Sequence, residues 1–167
     1  MRKQKGFSLI ELLIVVAIIL IIAAIAIPNL LRARIAAQES SAVASVRTLN
    51  TAEITFQTGN PAIGYTTLSV LGGAAPCVPT VGVSACLIDN TLALGAKSGY
   101  LFAATPGTSA GSTTANLVTV SAVPQSYNQS GVRSFCANED AVIKSATIAA
   151  PALVIVNPCP AAYSVLQ

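Results

Sequence analysis

The chain has no histidine and no tryptophan, and only 9% of its 167 residues are charged. A globular domain ordinarily carries about a quarter charged residues, so the deficit is large. Each absence excludes something. Without histidine the commonest metal ligand and the commonest general base are missing. With so few charges, a strongly basic nucleic-acid-binding face is excluded, and no direct nucleic-acid site is evident. The apolar fraction, 53%, with a mean hydropathy of +0.70, excludes a disordered tail. There is no Ser-centred elbow motif, no phosphate-cradling glycine loop and no C-x-x-C spacing, so neither an enzyme nor a zinc site is indicated, and no cofactor is implied.

What is present is concentrated at one end. Leu12 to Leu31 carries no charge, and Leu12 through Ile27 is wholly apolar. As a helix this run spans about 30 Å, the thickness of a bilayer's hydrocarbon core. Arg2, Lys3 and Lys5 precede it, and Arg32 and Arg34 follow, so charge favours a cytoplasmic N-terminus by a small margin. A secretory signal would end in small residues such as Ala24-Ile25-Ala26, but the run is long for one. A plain membrane anchor explains the length and leaves Glu11 unexplained, since a carboxylate within an apolar span costs a few kcal/mol and usually marks function.

The arrangement Lys5-Gly6-Phe7-Ser8-Leu9-Ile10-Glu11, followed at once by the apolar run, closely resembles the class III signal of short-leader type IV pilins. The likeness continues through Pro28-Asn29-Leu30-Leu31 to about Phe56. It implies cleavage between Gly6 and Phe7 by a prepilin peptidase, with N-methylation of Phe7 by the same enzyme. It further implies that Glu11 receives the Phe7 amine of a neighbouring subunit during assembly. The physics agrees: a new α-amino group, with a reference pKa near 8, and a carboxylate are each costly alone in low dielectric and neutralise one another as a pair. Proline removes an amide donor and crowds the preceding turn, so a kink or loss of helix is expected at Pro28, where such pilins commonly lose helix in the fibre.

From Arg32 to about Thr58 the helix turns amphipathic, with Ile35, Ala42, Val43, Val46, Leu49 and Phe56 on one stripe, and Gly59-Asn60-Pro61 stops it. One helix from Phe7 to Thr58, about 75 Å long, is expected. The expected organisation is a leader over 1–6, a membrane or filament-core helix over 7–31, an amphipathic half over 32–58, a loop region over 59–97, an antiparallel sheet over 98–146 and a C-terminal disulfide-bounded segment over 147–167. Strands are read at Ser98–Thr105, Asn116–Val123, Val132–Ala137 and Val142–Lys144, the second as a half-buried strand alternating Val118, Val120 and Ala122 with Thr119 and Ser121. Thr105 to Asn116 reads as a flexible exposed connection. The fold class is α+β, a long N-terminal helix packed on a small antiparallel sheet, as in the pilin fold.

Cys77, Cys86, Cys136 and Cys159 allow three pairings. All lie beyond the apolar run, on the side that would be oxidising, so disulfides are expected. The favoured pairs are Cys77–Cys86 and Cys136–Cys159, the second like the C-terminal disulfide loop of many type IV pilins. Asp89, Glu139 and Asp140 are candidate calcium ligands, but Asn138-Glu139-Asp140 reads better as turn chemistry. Asn128-Gln129-Ser130 fits the N-glycosylation pattern, which is common by chance.

The resemblance therefore implies a structural subunit, the major pilin, held in the inner membrane as a single-pass prepilin and extracellular once assembled. Its partners would be itself, as a homopolymer, the prepilin peptidase/methyltransferase, and the assembly platform with its ATPase. The fibre would serve adhesion, motility or uptake. The alternatives are a pseudopilin or minor pilin of a type II secretion system, and an adhesin on a plain anchor. The net charge of +3 comes from Arg2, Lys3 and Lys5, since the remaining six basic and six acidic side chains balance.

Overall fold

The computed structural model describes residues 8–73, 76–150 and 152–166. The elements run α1 (Leu9–Gly59), α2 (Leu68–Leu71), α3 (Asn90–Ala93), β1 (Ala96–Lys97), β2 (Tyr100–Gly107), β3 (Leu117–Pro124), β4 (Arg133–Asn138), β5 (Lys144–Thr147) and β6 (Ser164–Val165). Two compact units divide the chain, one through Arg34 and one from Ile35 onward, with α1 contributing to both. This is the α+β architecture expected: a long N-terminal helix followed by an antiparallel sheet.

In the first unit α1 is exposed from Leu9 to Arg34, apart from a half-buried Ala23. In the second unit the helix keeps a buried stripe of Ala42, Val46, Leu49, Ala52 and Phe56, spaced three and four residues apart. The helix stops at Gly59, and the Asn60 amide and side chain both cap the Phe56 carbonyl, at 2.9 and 3.1 Å.

The sheet is a six-stranded meander, β1 to β6 in sequence order, every pairing antiparallel. Its longest ladder pairs Tyr100 with Pro124 through Gly107 with Leu117. One face carries Tyr100, Phe102, Ala104, Val118, Val120, Ala122, Phe135 and Ala137 into the same core as the α1 stripe. Tyr100 and Phe135 lie tilted against each other there, ring centroids 6.0 Å apart.

The opposite face departs from expectation. β3 is buried on both sides, with Thr119 and Ser121 fully inaccessible. The C-terminal segment explains it. Val154, Cys159 and Tyr163 form a second apolar cluster with Cys136 and Ala146. Ser121 Oγ donates to the Val154 carbonyl at 3.3 Å, Thr119 Oγ1 bonds Asn157, and the Cys159 amide donates to Asn138 Oδ1 at 3.0 Å. The alternating hydroxyls of β3 thus bind a covering strap and do not face water.

Three further differences concern edges. The region 59–97 contains two one-turn helices and β1, beyond the loop that was expected. The fourth main strand starts at Lys144, not Val142, because Ala141 adopts φ 57° and Asp140 Oδ1 takes the Val142 amide at 3.0 Å, extending the turn. The Ser/Thr/Gly-rich stretch is tied down as well: Ser109 and Asn116 exchange bonds of 2.8 and 2.6 Å, and the Tyr65 amide donates to the Ala115 carbonyl at 2.7 Å. Gly64, with φ +84°, makes that approach feasible, since a Cβ there would collide with the Ala115 backbone.

Candidate functional site

The segment that carries the expected chemistry opens α1. Ser8 precedes the helix and Glu11 stands three residues on, the spacing of a capping box, and the Ser8 amide donates to Glu11 Oε2 at 3.0 Å. The bond satisfies one of the four orphan amides at the helix start and places a negative charge at the positive end of the helix dipole. Glu11 therefore has a local role in the single chain, which the Ser8-x-x-Glu11 spacing signals. Gly6 and Phe7, the expected cleavage and methylation positions, lie outside the described residues. Phe7 is an internal residue of this sequence, so the expected contact between its amine and Glu11 requires cleavage of the Gly6–Phe7 bond.

Beyond Glu11 the surface is aliphatic. Sixteen Leu, Ile and Val side chains between Leu9 and Leu31 are each at least 45% exposed. At about 1.5–3 kcal/mol for fully burying each side chain, and with a little over half of each still exposed, covering them is worth roughly 15–30 kcal/mol. α1 is long and apolar enough to cross a membrane, and none of its most apolar window is buried in the chain's own fold. In the single chain the helix break expected at Pro28 is not seen: α1 continues through it. Proline at this position forfeits one amide donor, a local loss that the rest of the helix absorbs.

In the second unit the structure pairs Cys77 with Cys86 and Cys136 with Cys159, Cα atoms 5.9 and 6.0 Å apart, within normal disulfide reach. The first closes an exposed loop, and the second is buried between sheet and strap. Asp89 pairs with Lys97 at 3.2 Å and with Thr91. Asp140 is used by its own turn. No three His, Cys, Asp or Glu side chains converge as metal ligands among the described residues. Asn128 sits exposed in a turn, while the Ser130 hydroxyl is engaged with Ser126.

Two carboxyls on α1 matter more to the head than sequence reasoning indicated. Glu39, buried in the assembled core, takes the Val132 and Arg133 amides on Oε1 at 2.9 and 3.1 Å and the Arg133 guanidinium on Oε2 at 2.8 Å. Burial works to raise its pKa, but these donors outweigh it and hold the group below the usual carboxylate value. Arg133 also lies 5.8 Å above the Phe135 ring. Glu39 thereby ties α1 to the start of β4. Glu53, one of the largest fully buried side chains, accepts the Thr66 amide at 3.0 Å. Burial pushes its pKa up to about 7 against the opposing pull of that bond. Nothing in the sequence marks either position, because each looks like ordinary polar punctuation on a helix.

Comparison with known proteins places residues 1–27 under the prokaryotic N-terminal methylation motif. Among curated proteins, the type IV wide pilus major component PilA4 of Thermus thermophilus is 74% identical over 34 residues, 20% of this chain and 26% of the relative. The type IV major pilin protein PilA of Myxococcus xanthus is 48% identical over 54 residues, 32% of this chain and 24% of that protein. A fimbrial protein of Pseudomonas aeruginosa is 56% identical over 52 residues, 31% of this chain and 34% of that protein. The chain thus spans about a quarter to a third of the length of the curated relatives it matches. No solved structure matches. The resemblance to type IV pilins is borne out, and the matched relatives carry the names of pilus and fimbrial subunits.

Proposed function

We propose that this chain is a pilin, the major structural subunit of a type IV pilus. The observation that carries the reading is the unburied aliphatic surface of α1 from Leu9 to Leu31, interrupted by the single carboxylate of Glu11. Water cannot be its neighbour at a cost of tens of kcal/mol. Two environments can cover it: lipid, and other copies of the same helix. A subunit that uses them in turn is held in the inner membrane, with the basic leader on the cytoplasmic side, and is then withdrawn into a fibre whose core is its own repeated N-terminal helix.

Processing supplies the polar half of the contact. A prepilin peptidase cuts between Gly6 and Phe7 and methylates the new amine. That ammonium, at the end of an apolar helix, needs a counter-charge wherever it is buried. Glu11 of the preceding subunit provides it, exchanging its bond to the Ser8 amide for an ionic one. One charge pair per subunit then sets the axial register of otherwise featureless aliphatic helices, as single buried polar residues do in coiled coils. Loss of helix at Pro28 on packing belongs to the same reading. An assembly platform and its ATPase supply the work, and the resulting fibre serves adhesion, motility or uptake.

Glu11→Ala tests this reading. The variant is expected to be cleaved and methylated normally, yet to leave no filaments on sheared cells. Wild-type filament yield from Glu11→Ala cells would defeat the proposed contact.

A further inference from the structure

The Glu53 side chain has no accessible surface, yet only one of its oxygens is used. Oε2 accepts the Thr66 amide, while Oε1 has no partner among the described residues. One turn earlier on α1, Asn50 is 6% exposed, and neither its amide nitrogen nor its oxygen is bonded. Both side chains line the same small void beneath the connection between α1 and α2, and the void has no room for a water molecule. The other groups around it are Ile54 from α1, Tyr65 from the connection, Val118 from β3, Asn138 at the end of β4, whose Oδ1 is taken by the Cys159 amide, and Glu139 and Ala141 from the turn that follows. The titratable ones, Tyr65 and Glu139, bring no positive charge; burial first, and then both carboxyls, raise the Tyr65 pKa.

An ionised Glu53 would therefore lie in a dry void with no cation and an acidic neighbour, an arrangement that proteins resolve by neutralising the group or exposing it. We propose that Glu53 is a protonation-gated latch on the head: as the neutral acid it stays buried and holds Thr66 and the α1–α2 connection against the helix, and on losing its proton it turns to solvent and frees that connection. The acid hydrogen on Oε1 has an unclaimed acceptor in the void, Asn50 Oδ1, while Oε2 keeps the Thr66 amide. The far side of the connection is anchored separately, by the Tyr65 amide on the Ala115 carbonyl, so release from α1 need not unfold the sheet. The latch depends on the head alone and stands whether or not the chain polymerises.

The sense of the response follows from linkage. Burial places the closed-state pKa near 7, against an ordinary carboxylate value of 4.5 when open. Opening is then favoured by about tenfold per pH unit between those values and levels off above them. The test uses the full isotope-labelled chain in detergent micelles. The Thr66 amide resonance is followed from pH 4 to 9, and Thr66 amide exchange is corrected for its intrinsic pH dependence, with the Tyr65 amide, bonded to Ala115, as the reference that should not change. Wild type is expected to show one transition of the Thr66 resonance with a midpoint between the open-state value of 4.5 and the closed-state value of about 7, and Thr66 protection that falls by up to about 300-fold across the window. Glu53→Gln should remove both effects while keeping the acceptor for Thr66. Glu139→Gln should leave the transition in place. A Glu53 midpoint in the ordinary carboxylate range, pH-independent protection in wild type, or a transition that survives in Glu53→Gln would each overturn the latch.

Discussion

Replacing Glu39 with glutamine keeps size and polarity and changes one thing: the second acceptor oxygen becomes a donor. In the native head, Oε1 takes two amides from the start of β4, and Oε2 takes the Arg133 guanidinium. Glutamine can keep its carbonyl toward Val132 and Arg133, but its NH2 then faces another N–H. One charged hydrogen bond, worth about 1.5–3 kcal/mol, is lost, and the two that remain lose their charge assistance. The Arg133 side chain is 47% exposed and can turn to water, which limits the penalty. The balance is a loss of about 2–3 kcal/mol. For a folded unit of 133 residues (Ile35 through Gln167), that lowers the melting temperature by about 10 °C. The assay is thermal and guanidinium unfolding of the full chain in non-ionic detergent, read by near-ultraviolet circular dichroism. Glu39 is held below the ordinary carboxylate value, so its contribution is complete above that value and lost as pH falls through the depressed one. Wild type and Glu39→Gln should therefore converge in acid. A Glu39→Gln head within 0.5 kcal/mol of wild type at pH 7, or a gap that persists unchanged into acid, would refute the clamp.

Other consequences are equally open to measurement. Gly131→Ala would drive a methyl group into the buried Tyr100 ring, whose hydroxyl donates to the Arg133 carbonyl at 2.9 Å; a loss of about 1–3 kcal/mol is expected by denaturant unfolding, and restoration by Tyr100→Phe would not follow, since the ring itself is struck. Under graded reductant, peptide mapping should find Cys77–Cys86 opened first, because Cys77 is exposed, while Cys136–Cys159 reacts only as the head unfolds. Removing the buried pair by Cys136→Ser with Cys159→Ser should cost about 3 kcal/mol, from the loop of 23 residues' separation, and should release the strap from β3.

The N-terminal helix was legible because its signal is redundant: an unbroken aliphatic run, a carboxylate just before it and a Gly-Asn-Pro stop each say the same thing. The three longest strands were legible to within two residues at either end from β-branched and aromatic content. β5, Lys144-Ser145-Ala146-Thr147, has no apolar alternation, and β6 is two residues long, so neither had a local signature to read. The doubly buried β3 was illegible for a different reason. Thr119 and Ser121 look solvent-facing, and only a segment more than thirty residues away in sequence turns them inward. The same holds for Glu39 and Glu53, whose partners Val132, Arg133 and Thr66 are set by tertiary contact. Of the segment proposed to drive assembly, the sequence pattern implied roles for Gly6, Phe7 and Glu11, and the structure added the local bond between Glu11 and the Ser8 amide that the proposed contact would replace.

The measurement that bears most directly on the central claim is cryo-electron microscopy of filaments sheared from cells expressing the wild-type chain. The account predicts a fibre built from this chain, beginning at N-methylated Phe7, with the aliphatic helices packed on one another in its core and Glu11 of one copy meeting the Phe7 amine of the next. Absence of this chain from the filaments, or a fibre whose core leaves Leu9–Leu31 uncovered and Glu11 facing solvent, would contradict it.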